Sequence, residues 1–187
     1  NCVVKQAEGT NIGVLSNRLE KSPEKASMER TSHLNLFEYF LGQTDGWGLV
    51  EDRFEKTRRQ FHVGIEGELK SDELLLTEKF QFDDGECSRR TWKIRRISGD
   101  RYLGRADDMC GEAEGKLIDN AIIWKYKMEL PVNGKKWKLD FEDRMLLNTK
   151  DVVLNHSKLK KFGVKVASVT IFFRKKFHEE ISRPYDC

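Results

Sequence analysis

Glu78, Arg90 and Asp143 are the side chains whose type and spacing could do chemistry, because each shares the parity of an aromatic face. Glu78 stands between Leu76 and Phe80, Arg90 is two residues before Trp92, and Asp143 lies between Phe141 and Met145. If those faces line an interior, three ionisable groups sit in apolar surroundings, where charge must be paired or solvated. Two uses are open. A carboxylate bridged to Arg90 would fix strand register or cap one end of the fold. A polar anchor would instead hold the head group of an amphipathic ligand, its tail lying among Trp92, Trp124, Tyr126, Met128, Trp137 and Phe141.

Other groups carry weaker signals. Gly104-Arg105-Ala106-Asp107-Asp108 brings two carboxylates together, a pattern able to do acid–base work or hold a divalent cation. At a strand end, adjacent aspartates more often make a turn and cap the backbone, and Asp52-Arg53 reads the same way. His33, His62, His156 and His178 are scattered, and no nucleophile elbow, H-E-x-x-H helix or phosphate-binding glycine loop accompanies them, so no catalytic residue is assigned. Cys2, Cys87, Cys110 and Cys187 form no C-x-x-C pair and have no histidine at ligand spacing. No metal or other cofactor is expected, and disulfide pairing stays open. The basic runs Lys158 to Lys161 and Arg174 to Lys176 interleave with Phe162, Phe172, Phe173 and Phe177. That mix suits a solvated loop, or contact with anionic lipid head groups. Nucleic acid is not expected as a partner, because 34 Lys and Arg against 31 Asp and Glu leave only +3.

Strands must position these residues. Asn120 to Leu147 reads as one long hairpin: Ile122, Trp124, Tyr126, Met128 and Leu130 alternate with Lys125, Lys127 and Glu129. Pro131-Val132-Asn133-Gly134 supplies the reversal, after which Trp137, Leu139, Phe141 and Met145 alternate with Lys136, Lys138, Asp140, Glu142 and Arg144. Two arms cannot bury such faces alone. Further strands are expected at Trp47 to Arg53, Arg59 to Leu69, Glu73 to Phe82, Glu86 to Ile97, Arg101 to Ala106, Glu112 to Ile118, Asp151 to Asn155 and Val164 to Lys175. Val164 to Lys175 is apolar on both faces, which predicts partial outer cover. Leu34, Leu36, Phe37, Phe40 and Leu41 suit a short helix, stopped by Gly42, able to plug one end.

About ten strands joined by tight turns make an all-β chain, most economically a single up-and-down antiparallel barrel whose closure pairs every edge. A two-sheet sandwich is the alternative. The division is a polar arm over 1–33, a barrel over 34–176 and a tail over 177–187. No window approaches eighteen consecutive apolar residues.

Phe40-Leu41-Gly42 with Gly46-Trp47-Gly48-Leu49-Val50-Glu51-Asp52-Arg53, Asp84-Gly85, Arg89-Arg90-Thr91-Trp92-Lys93-Ile94, Gly104 to Asp108, Glu142-Asp143-Arg144-Met145, Leu154-Asn155 and Lys161-Phe162-Gly163-Val164 occur in order over about residues 36 to 175. As a set they resemble an uncharacterised family of predicted proteobacterial lipoproteins, the domain of unknown function numbered 3833. The resemblance implies a lipocalin-like barrel, lipid-anchored and facing the periplasm in the bacterial envelope, with no established activity. It also gives Cys2 a meaning, as the acylated cysteine followed by a polar tether, although Asn1 is not the small residue usual before such a cysteine. The expectation is a membrane-anchored barrel that binds or carries a lipid-like molecule. The alternatives are a filled barrel that docks envelope proteins, and an enzyme acting on an acyl or isoprenoid lipid through Glu78, Arg90 and Asp143.

Overall fold

The computed structural model describes residues 34–132 and 134–176. One helix, α1 (Leu36–Phe40), precedes ten strands: β1 (Gly42–Asp52), β2 (Thr57–Lys70), β3 (Glu73–Phe82), β4 (Cys87–Ser98), β5 (Arg101–Arg105), β6 (Ala113–Ile118), β7 (Ala121–Val132), β8 (Lys135–Leu147), β9 (Val152–Lys161) and β10 (Val164–Lys175). Each pairs antiparallel with the next, and β10 returns to β1 with Thr44 opposite Lys175 and Asp52 opposite Ala167. The result is a closed up-and-down barrel, not a sandwich. Closure leaves no sheet edge for another chain to extend.

Alternation decides which residues face inward. In β7 the buried Ile122, Trp124 and Met128 share a parity with Tyr126, while Lys125 and Lys127 face water. Two strands run longer than their sequences suggest. β1 begins at Gly42, because inward Gly46 and Gly48 lack the side chains that would betray alternation, yet leave room for the Phe173 and Phe61 rings. β9 continues six residues past Asn155, since its lysine run is simply the outer face: Lys158 is exposed while Ser157 and Leu159 are buried.

α1 closes one end. Leu34, Leu36, Tyr39 and Phe40 are buried, and Phe40 meets Phe173 edge to face at 5.5 Å. The Tyr39 hydroxyl lies 2.9 and 3.0 Å from the carbonyls of Asp151 and Phe173, tying the helix to the wall. Gly67 makes this fit possible: a Cβ there would sit 1.8 Å from the Phe40 carbonyl oxygen. Above the plug, Val63, Leu74, Ile94 and Ile122 are at most 4 % exposed, so this half of the lumen is packed solid. Partial outer cover predicted for β10 is absent at Phe172 and Val164, which are 52 % and 62 % exposed. The arm over 1–33, with Cys2, and the tail over 177–187 lie outside the described residues.

Candidate functional site

A polar and aromatic layer occupies the lumen beyond the packed half. Register places it there. Glu78 on β3 faces Arg90 on β4, Tyr126 on β7 faces Phe141 on β8, and Asp143 on β8 faces Ser157 on β9. Arg90 holds Asp108 in a two-pronged pair, with Nε and Nη2 at 2.9 and 2.7 Å from Oδ2, while its Nη1 is 3.8 Å from Glu78 Oε2. The Trp92 indole N–H donates to the same Glu78 oxygen at 3.2 Å, and the Tyr126 hydroxyl donates to Asp143 Oδ2 at 2.9 Å. Rings join the two halves. Trp92 meets Tyr126 edge to face at 5.4 Å, and Tyr126 stacks on Phe141 at 4.9 Å.

Asp108 reaches Arg90 because residues 106–112 do not bulge away as an ordinary loop. They lie along β7, with the Cys110 N–H on the Lys127 carbonyl at 2.9 Å and Met109 bridged to Met128. Gly111, at φ 89°, lets the chain turn back into β6.

Water reaches part of this layer. The Glu78 and Arg90 side chains remain 14 % and 23 % exposed although both point into the lumen, and Trp92, Tyr126 and Phe80 are only half-buried. Desolvation still dominates the electrostatics. It pushes Glu78 up to about 7, against the opposing pull of Arg90 and of the Trp92 hydrogen bond. Asp143 rises to about 6 through burial, held back by Ser157, Tyr126 and Arg90. Burial works against the Arg90 charge, but the Glu78 and Asp108 carboxylates outweigh it and keep the guanidinium ionised. Burial, then the Asp143 charge, lifts Tyr126 well above the usual phenol range.

Among the described residues, Asn155 Oδ1 is buried with no donor on it, and Asp143 Oδ1 has no hydrogen bond of ordinary geometry although the Ser157 and Asn155 side chains stand close enough to favour its charge; Asn155 Nδ2 donates to Ser157 Oγ at 3.1 Å. Such groups are expensive to leave unmet.

Of the residues singled out from sequence, the structure brings together Glu78, Arg90, Trp92, Tyr126, Phe141 and Asp143. Trp124 stands directly opposite Asp143 across the β7–β8 pair, at the border with the packed half, its ring filling the space over Gly115, where a Cβ would meet it at 2.9 Å. Met128 is 1 % exposed in a second apolar cluster with Leu139, Phe141 and Leu159. Trp137 packs at the edge of that cluster under the Lys161 ammonium, 3.4 Å from its ring centroid. Met128 and Trp137 therefore serve packing and the rim, while Trp124 borders the polar layer. The sequence marks Asp108 only as one of a carboxylate pair, and gives Asn155 and Ser157 no site role. The Asp107-Asp108 pair reads as a turn, and Asn155 and Ser157 fall where the strand was expected to stop. Asp52 does take the turn role, accepting from the Phe54 and Lys56 N–H groups at 2.9 and 3.1 Å.

Two hollows of about 490 and 380 Å³ lie on the outer wall, one along Thr91, Lys93, Leu103 and Arg105, the other beside Cys110, Lys125, Lys127 and Glu142. Among the described residues, no three His, Cys, Asp or Glu side chains are placed to hold a metal. Cys87 is disulfide-bonded and Cys110 is a free thiol.

Solved structures of the same architecture exist. An S-type phycobiliprotein lyase from Guillardia theta superposes with a TM-score of 0.60 at 10% identity, covering 76% of this chain and 92% of the lyase. A protein of unknown function from the DUF3598 family, from Nostoc punctiforme, superposes with a TM-score of 0.57 at 15% identity over 78% of this chain. The chain spans about half (51%) of that second protein. At these identities the likeness is one of fold. A comparison with curated proteins gives no match. The sequence itself is more specific: over residues 14–175 it matches the model described as "Protein of unknown function (DUF3833)", and the chain belongs to that family.

Proposed function

We propose that the barrel binds one small amphipathic molecule in its lumen, entered from the end opposite α1. The apolar body lies on Trp92, Tyr126 and Phe141. The head group carries hydrogen-bond donors, an amine or a hydroxyl, directed at Asp143 and Asn155. The observation that supports this is Asn155 Oδ1, buried with no donor on it, beside an Asp143 carboxylate whose Oδ1 has no hydrogen bond of ordinary geometry, in a layer whose guanidinium is already shared by two carboxylates. For the same reason Arg90 is a poor anchor for an anionic head group, since such a ligand would have to displace Asp108 or Glu78. Arg90 orders the acidic layer and the ligand meets its far side.

Binding at neutral pH with a cationic head group would draw Asp143 and Glu78 into their ionised forms. A second reading, acid–base turnover of the bound molecule, is favoured by carboxyl pKa values of about 6 and 7, close to where proton transfer in both directions is easy. Acylation at Cys2 and a bacterial-envelope setting belong to the proposal on the strength of the family resemblance alone. Palmitate labelling in the native host tests them, and absence of label on Cys2 removes them.

Native mass spectrometry of gently purified full-length protein, followed by organic extraction, tests the lumen. The expected result is a bound amphiphile near one per chain, carrying an amine or hydroxyl, and lost from a folded Asp143→Asn variant. An extract whose bound species persists unchanged in that variant would overturn the assignment of the head-group site. A bound molecule recovered chemically altered after incubation would favour turnover.

A further inference from the structure

The rim opposite α1 is built from five connections, and its charge is divided. The β3–β4 turn and the 106–112 segment are acidic, with Asp83, Asp84, Asp107 and Glu112. The next three around the ring, β7–β8, β9–β10 and β1–β2, carry exposed Lys135 and Lys136, half-buried Lys161 with exposed Lys165, and exposed Arg53 with Lys56. Two neighbouring tips of this basic arc end in phenylalanine. Phe162 is 92 % exposed and Phe54 is 74 % exposed.

Neither ring is placed casually. Lys161 and Val164 pair directly, so Phe162-Gly163 is a two-residue hairpin loop in which both residues have positive φ, 51° and 80°. Asn, Asp or Gly takes the first of those positions readily, whereas a bulky side chain is an outlier there. A phenylalanine in a disfavoured conformation, returning no packing, is unexplained by folding. Phe54 is held outward by the Asp52 carboxylate, which binds the backbone N–H groups of Phe54 and Lys56, and Arg53 lies 4.5 Å over its ring. Two acids stand at that tip, Asp52, which is paired with Arg58, and Glu55.

We infer that this arc docks on an anionic phospholipid surface, with Phe54 and Phe162 entering the head-group layer and the flanking cations meeting lipid phosphates. Aromatic side chains flanked by Lys and Arg are the chemistry of an interfacial contact, and a free acidic protein surface would not reward an isolated ring on a hairpin tip. The acidic β3–β4 side then tilts away from the bilayer, which leaves the mouth facing the lipid obliquely. The contact rests on the rim residues alone and holds whatever the lumen carries.

The test uses the full chain made in a cytosol where no acyl chain is added, and sedimentation with phosphatidylcholine vesicles containing about one third phosphatidylglycerol. Binding is expected to these vesicles, to fall with added salt, and to be absent with phosphatidylcholine alone. Phe162→Asn is expected to weaken it about tenfold, the scale for losing one inserted ring, while raising Tm because Asn suits the turn. Lys161→Glu with Lys165→Glu should abolish it. No binding by the wild type, or unchanged binding by a folded Phe162→Asn variant, would overturn the inference. Retention of lumen ligand by the Phe162→Asn variant separates this contact from the binding reading.

Discussion

Replacing Glu78 with Gln tests whether the acidic layer is kept for stability or in spite of it. In the fold the Glu78 pKa is about 7, against 4.5 for an unperturbed Glu, with burial as the leading cause. A carboxyl whose pKa is raised on folding favours the fold while protonated in both states. That advantage is present below about 4.5 and is lost as pH rises through about 7. At about 1.4 kcal/mol per pH unit the gap corresponds to about 3 kcal/mol, and the 14 % exposure of the side chain reduces it to about 2 to 3. Glutamine keeps an oxygen for the Trp92 indole and removes the charge. Urea denaturation of wild type and Glu78→Gln should therefore give equal stabilities near pH 4, with the variant ahead by about 2 kcal/mol at pH 8. Comparison at each pH cancels every other titrating group. If the variant is instead less stable at pH 8, Glu78 is a net-favourable partner of Arg90, and the bridge is structural.

Arg90→Met leaves Glu78, Asp108 and Asp143 facing one another without their cation, and should lower stability by about 3 kcal/mol at pH 8 in the same denaturation assay, less at pH 5. Adding Glu78→Gln to it should recover part of that loss, a coupling a double-mutant cycle will read. Gly67→Ala drives a Cβ into the Phe40 carbonyl and is expected to cost about 3 kcal/mol or more, with loss of α1 docking seen as faster hydrogen exchange at Leu41. A bound cationic amphiphile should dissociate as pH falls below about 6, where Asp143 takes up its proton; affinity independent of pH from 8 to 5 would exclude an ionic head-group contact.

Much of the architecture is written in local alternation. Ile122 to Leu130 and Trp137 to Met145 carry the period of a half-buried strand, and Asp-Gly and Asn-Gly reversals mark where strands end, so a meander and its closure follow from pattern. Parity also exposes Glu78, Arg90 and Asp143 as inward charges. What parity cannot give is depth. Met128 and Tyr126 are two residues apart on one face, yet one packs in an apolar cluster with Leu139 and Leu159 and the other lines the polar layer. The pairing of Asp108 with Arg90 is hidden for another reason: the two are brought together by backbone pairing of 106–112 on β7 that has no local signature. Asn155 and Ser157 are hidden by the lysines that follow them, which look like a loop and are an outer face.

Closing a cylinder with its first and last strands has a kinetic consequence. β1 must wait for β10, nearly the whole domain later, before either has a complete set of backbone partners. During synthesis every shorter chain therefore presents two raw strand borders, one at β1 and one at the growing end. Such non-local pairing places folding among the slower topologies, on the order of milliseconds to seconds. The same adjacency makes β1 and β10 a natural seam: new termini cut into an outer turn, with the old ends joined, would bring these two strands far closer in sequence and should hasten folding while leaving the finished wall unchanged.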